Sequence, residues 1–216
     1  MKILLIGSGG REHAIAWRLA QSKLVDEIIC VPGNGGTAKE EKCRNINPAD
    51  CEYTETLTGN DAIVQVAAFE QVDFAVVGPE DPLCSGIADQ LWSCGIPVVG
   101  PKQAGAMLEG SKDTAKDFMQ KYGVACAASK TFTDAASATA YIKEHGAPVV
   151  VKADGLAAGK GVVVAATVEQ ALGAVNDFMN DKKLGNAGTK LVIEDYLQGV
   201  EISILAAVSV TPKLAG

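Results

Sequence analysis

Residues 152–164 read KADGLAAGKGVVV, and within them Gly155, Gly159 and Gly161 surround Lys160 between two β-branched runs. Exposed backbone N–H groups beside an ammonium suit a polyphosphate, because both turn positive charge toward its oxygens. The spacing is not that of a P-loop. Gly155 and Gly159 enclose three residues rather than four, Gly161 stands where Ser or Thr would hold magnesium, and the segment joins strand to strand. It reads as a glycine loop between antiparallel strands that folds over a triphosphate, with Lys160 at its tip, Lys152 in the preceding strand and Lys112 as a third cation. Downstream, VIEDYLQGVE (192–201) offers what a purine nucleoside needs. Strand-end backbone would meet the adenine edge, Tyr196 and Leu197 would form an apolar wall, and Glu194 and Glu201 are carboxylates for ribose hydroxyls.

A second anion site is suggested by IGSGGREH (6–13), which follows an apolar strand and opens a helix. The third glycine of a dinucleotide fingerprint is replaced by Glu12, and the second strand ends IICVPGN without an acid for a cofactor ribose. A nicotinamide or flavin enzyme is thereby disfavoured. Arg11 in the first turn opposes the helix dipole unless an anion sits in the mouth; with the N–H groups of Gly9 and Gly10 it makes a phosphomonoester site. His13, inside the helix, reads as structural. PGNGGT (32–37) and GPEDPL (78–83) are expected to be loops at strand carboxyl ends, where Asn34, Thr37 and Glu80 meet hydroxyls or an amine.

These residues need a scaffold. Through residue 101, runs such as KILLIG, EIICVPG, DFAVVGP and IPVVGP alternate with amphipathic stretches, the pattern of βαβ units around a buried parallel sheet. Two helices follow over 102–124. After them come a strand SKTF, a helix from an Asp134 cap to His145, strands APVVVKA and GVVVAA, a helix from Thr167 to Met179, and strands TKLVIEDYL and EISILAAVSV. Sequence-neighbour strands predict an antiparallel α+β unit with helices on one face.

The 216 residues carry a net charge of −7, which argues against a nucleic-acid or anionic-membrane partner. Six cysteines without a C-x-x-C pair, and only two histidines, give no zinc spacing and read as reduced thiols of a cytoplasmic protein. The apolar run Ile3–Ile6 is too short for a signal-peptide core.

Taken in order and spacing, GSGGREHA, PGNGGT, GPEDPL, LEGSK, KADGLAAGKGV and IEDYLQGVEIS resemble the phosphoribosylamine–glycine ligase family of ATP-grasp enzymes, over almost the whole chain. The resemblance implies an open, Rossmann-like parallel sheet (1–101), a helical connection into the ATP-grasp domain (102–124), an antiparallel α+β lid subdomain (125–197) and the start of a further subdomain (198–216). It also implies a reaction in which ATP converts glycine to glycyl phosphate, captured by the amine of 5-phosphoribosylamine. Gly9, Gly10, Arg11, Glu12, Asn34, Gly78, Pro79 and Glu80 would hold the phosphosugar. Lys112, Lys152, Gly155, Ala158, Gly159, Lys160, Gly161, Glu194, Asp195, Tyr196, Leu197 and Glu201 would hold ATP. The family is longer, so Mg2+ or Mn2+ ligands are expected beyond Gly216, and these residues alone are expected not to turn over. A nucleotide- or phosphosugar-binding module without catalysis is the alternative, and metal-dependent turnover separates the two.

Overall fold

The computed structural model describes residues 1–157, 159–206 and 208; Ala158 lies outside them. The first unit alternates β1 (Lys2–Gly7), α1 (Gly10–Ala20), β2 (Glu27–Pro32), β3 (Cys43–Asn45), α2 (Gly59–Phe69), β4 (Phe74–Val77), α3 (Glu80–Cys84), α4 (Ile87–Ser93) and β5 (Val98–Val99). All pairings are parallel, in the order β3-β2-β1-β4-β5. The chain winds outward from β1 to β3 and then crosses back to β4, so a crevice opens at the carboxyl ends of β1 and β4, where the winding reverses.

The sheet is buried on both faces, which is why its strands read as unbroken apolar runs. Leu4, Ile6, Ile29 and Val31 enter one core, while Ile3, Leu5, Ile28 and Cys30 enter the other with Ala16 and Ala20 of α1. Burial pushes the Cys30 thiol up to about 12. A thiol reagent at about pH 8 is therefore expected to modify the exposed Cys94 and Cys126 first and to reach Cys30 only on unfolding. Early adduct at Cys30 in a peptide map would contradict its placement.

After α5 (Gln103–Gly110), which packs Ala106 into the first core, α6 (Lys112–Lys121) leads into the second unit. Ser111 caps α6, its hydroxyl accepting from Thr114 N at 3.1 Å, and Gly123 ends it at φ +66 with Val124 N donating to Met119 O at 2.8 Å. Strands β6 (Ser129–Phe132), β7 (Val149–Ala153), β8 (Val162–Ala165) and β9 (Leu191–Asp195) form an antiparallel sheet ordered β6-β9-β7-β8. Helices α7 (Ala135–His145) and α8 (Val168–Val175) cover one face, sharing a core with Val149, Val151, Ala153, Leu191 and Ile193.

Two expectations are corrected. GPEDPL is not a loop: from Glu80 it is the helix α3, because Glu80 and Asp81 suit the positive helix end and Pro82 falls in the first turn, whose N–H groups have no intrahelical acceptor. EISILAAVSV does not show a strand among its described residues, 201–206 and 208. Its apolar alternation becomes a strand only against a partner, and none of the described strands pairs with it. Among the described residues no helix is long and apolar enough to cross a membrane.

Candidate functional site

The crevice between β1 and β4 is built around Glu12. Its carboxylate turns back under the loop and accepts from Gly9 N at 2.6 Å. A Cβ on Gly78 would overlap Glu12 Oε1, and one on Gly7 would fall 2.6 Å from Glu12 Cγ. Both glycines thus admit the buried Glu12 side chain, which fills the place a third glycine would leave to a dinucleotide. Arg11 spans the mouth. It donates to Gly78 O at 2.7 Å and lies 3.8 Å from Glu80, keeping most of its side chain exposed. A cavity of about 330 Å³ follows Ser8–Glu12, Pro79 and Glu80.

Asn34 lies beside this loop but its side chain is already committed. Its amide donates to Ser8 O and Gly9 O at 3.0 and 3.1 Å, while Oδ1 accepts from Gly36 N and Thr37 N. It holds the loop in shape. Thr37, expected to meet a ligand hydroxyl, is instead fully buried against Asn34 and Asn45, because Gly36 lets that turn tuck beneath His13. His13 itself contacts Glu40 at 2.8 Å.

The second part of the site follows from strand alternation. In β7 and β9, Val149, Val151, Leu191 and Ile193 face the helices, so Lys152 and Glu194 must share the opposite face. They sit diagonally across the pair, within reach of long side chains, and meet at 2.9 Å. Lys116 of α6 reaches the same carboxylate at 3.4 Å and donates to Ala127 O at 2.9 Å. A cavity of about 450 Å³ is lined by these three residues with Lys112, Leu156, Gly159, Gly161, Leu108 and Met119. Among the described residues, Glu194 engages two ammonium groups, whereas Lys112 Nζ has only a long 3.4 Å contact to Gly155 O.

Other residues named from sequence are placed differently. Lys160 is exposed in the loop, its backbone N donating to Ala157 O at 2.9 Å. Asp195 lies on the helical side, 3.2 Å from His145, and Tyr196, Leu197 and Glu201 are exposed away from the cavity lining. Ala158 lies outside the described residues. Among the described residues no three His, Cys, Asp or Glu side chains converge as a metal set would.

Two features were missed from sequence. Lys116 was overlooked, although the i, i+4 spacing from Lys112 places both on one face of α6. The second is a network at the root of the glycine loop: Asp154 Oδ1 accepts from Asp113 N at 2.8 Å and Ser111 Oγ at 3.1 Å, and Lys190 lies 3.0 Å from Asp113 and 3.6 Å from Asp154. No spacing rule links residues 43 apart. The Thr131 hydroxyl, then Lys190, hold the Asp113 carboxyl below its ordinary range. A depressed folded value stabilises the fold above the unfolded value, about 3.9, and that stability is lost as pH falls through the folded value. Asp113→Asn should therefore lower the melting temperature at neutral pH and leave it nearly unchanged at the acid end; an equal loss throughout would contradict the ion pair.

The two cavities belong to one trench. An intermediate hollow of about 420 Å³ runs from Arg11 and Gly78 past Leu83, Ala106 and Leu108. Glu80 lines all three spaces.

With this geometry in view, residues 1–109 match the family model described as phosphoribosylglycinamide synthetase, N domain, and residues 110–212 the corresponding ATP-grasp (A) domain. A phosphoribosylamine–glycine ligase of Neisseria meningitidis serogroup B is 49% identical over 208 residues, 96% of this chain and 47% of that protein. The chain thus spans about half the length of such relatives. A crystal structure of phosphoribosylamine–glycine ligase from Thermotoga maritima is similar with a TM-score of 0.69 at 28% identity, covering 93% of this chain and 45% of that one. The biotin carboxylase domain of 2-oxoglutarate carboxylase from Hydrogenobacter thermophilus shares the fold, with a TM-score of 0.69 at 20% identity over 91% of this chain and 44% of that one.

Proposed function

The chain belongs to the phosphoribosylglycinamide synthetase family, whose two domain models together match residues 1–212, and from that premise we propose that it serves the ATP-dependent joining of glycine to 5-phosphoribosylamine in purine biosynthesis. The observation that carries this reading is the continuous trench, with the glycine-loop cavity and its three lysines, Lys112, Lys116 and Lys152, at one end, the Gly9–Gly10–Arg11 mouth at the other and Glu80 lining the whole length.

In this reading the phosphosugar's phosphate meets the N–H groups of Gly9 and Gly10 and the Arg11 guanidinium at the start of α1. ATP lies under the glycine loop, with Lys112 and Lys152 at its phosphates. A carboxylate is a poor electrophile, so a glycine oxygen first bonds to the γ-phosphorus and ADP leaves. The amine nitrogen of phosphoribosylamine then bonds to the acyl carbon, phosphate leaves, and the nitrogen gives up a proton. The chain's own contribution is positioning and charge neutralisation, the main tasks in phosphoryl transfer. Mg2+ or Mn2+ would neutralise further phosphate charge, and no step is assigned to it because the described residues offer no convergent ligand set. We place the reaction in the cytoplasm, a reading supported by six free cysteines.

Ribose 5-phosphate and ADP, titrated separately against isotope-labelled protein, test the two-ended trench. Ribose 5-phosphate should shift the amides of Gly9, Gly10 and Gly78, and ADP those of Lys112, Gly159 and Gly161. Shifts on a single shared set, or on neither, would overturn the assignment.

A further inference from the structure

Asp154 opens the glycine loop but is not among the described residues that line the 450 Å³ cavity, and its side chain is 12% exposed. Its bonds run to α6. The carboxylate accepts from Asp113 N at 2.8 Å and from Ser111 Oγ, while its backbone O accepts from Lys112 N at 3.4 Å. Lys112, whose ammonium meets no carboxylate among the described residues, is therefore flanked on both sides by residues tied to Asp154. Its own Nζ reaches the carbonyl of Gly155, the next residue along. On the other side Asp154 N donates to Lys190 O at 2.9 Å, and the Lys190 ammonium lies between Asp154 and Asp113.

From this geometry we infer that Asp154 is a positioning residue for the nucleotide site, fixing the root of the glycine loop and the start of α6 as one rigid piece so that Lys112 and the loop N–H groups address the same phosphates. The inference rests on the nucleotide reading above. Physically, a helix N-terminus has orphan N–H groups that need an acceptor, and here the acceptor is supplied by the loop rather than by the helix's own cap alone. Without it the two cationic elements move independently, and only the fraction of molecules with both aligned binds.

The test is ADP affinity by calorimetry for the unaltered protein, Asp154→Ala and Asp154→Asn, with melting temperature and binding stoichiometry measured on each. The alanine variant removes the acceptor and is expected to bind about tenfold more weakly with unchanged stoichiometry; asparagine keeps one acceptor oxygen for Asp113 N and is expected to restore affinity to within about threefold. A purely structural role would lower the melting temperature and leave affinity unaltered in the folded fraction, and that result overturns the inference. Should Asp154→Ala not fold, an Asp154→Asn variant that bound as poorly as Lys112→Met would overturn it equally, whereas near-native binding by asparagine upholds the acceptor role. Failure of the unaltered protein to bind ADP would instead refute the nucleotide reading on which the inference stands.

Discussion

Lys152→Met is expected to weaken ADP binding by about ten- to a hundredfold, the range for losing a charge-assisted hydrogen bond. Two effects add. The variant removes an ammonium that lines the cavity, and among the described residues it leaves the buried Glu194 carboxylate with Lys116 as its one remaining cation at 3.4 Å. A less compensated carboxylate on the cavity wall repels phosphate as well as failing to attract it. Methionine keeps the length of the stem, so packing against the sheet is largely preserved. Stability should fall also, since breaking a buried ion pair strands the other charge. Calorimetry with ADP reads the first effect and thermal melting the second. Unchanged affinity would remove Lys152 from the nucleotide site.

Gly78→Ala is expected to damage the other end of the trench. The new methyl group would occupy the position of the Glu12 carboxylate, which is buried beneath two loops and bonded to Gly9 N. Either Glu12 is expelled or β4 shifts away from β1, and overpacking of this kind costs about 1–3 kcal/mol. Because Arg11 is anchored on the Gly78 carbonyl, the anion mouth changes shape with it. Affinity for ribose 5-phosphate should drop by at least about tenfold, while ADP binding stays within about twofold, because Lys112, Lys152, Gly159 and Gly161 belong to elements that the Gly78 methyl group does not touch. A variant with native stability and native ribose 5-phosphate affinity would show that Glu12 does not support this loop.

The contrast between these two variants marks what the sequence could reveal. Lys152 was legible because strand alternation fixes its face once Val149 and Val151 are known to be core. The parallel sheet was legible for the opposite reason, its central strands showing no alternation because they are apolar on both faces. Glu12 was legible only as a missing glycine; that its carboxylate would turn inward to cap Gly9 depends on Gly78, 66 residues later, approaching without a side chain. Asn34 looked like a ligand for hydroxyls because Asn is equally a turn residue and a binding residue, and its four hydrogen bonds are visible only in the folded loop. GPEDPL misled through its prolines, since one of them fits a helix's first turn as well as a loop. The Asp154 network had no local signature at all.

The most direct measurement is a pair of calorimetric titrations of the protein, one with ADP and one with NAD. The proposed nucleotide site predicts saturable ADP binding at one site per chain, with none for NAD, because Glu12 occupies the dinucleotide position and β2 ends without a ribose acid. Saturable NAD binding with no response to ADP would contradict the nucleotide site and reassign the first crevice to a dinucleotide.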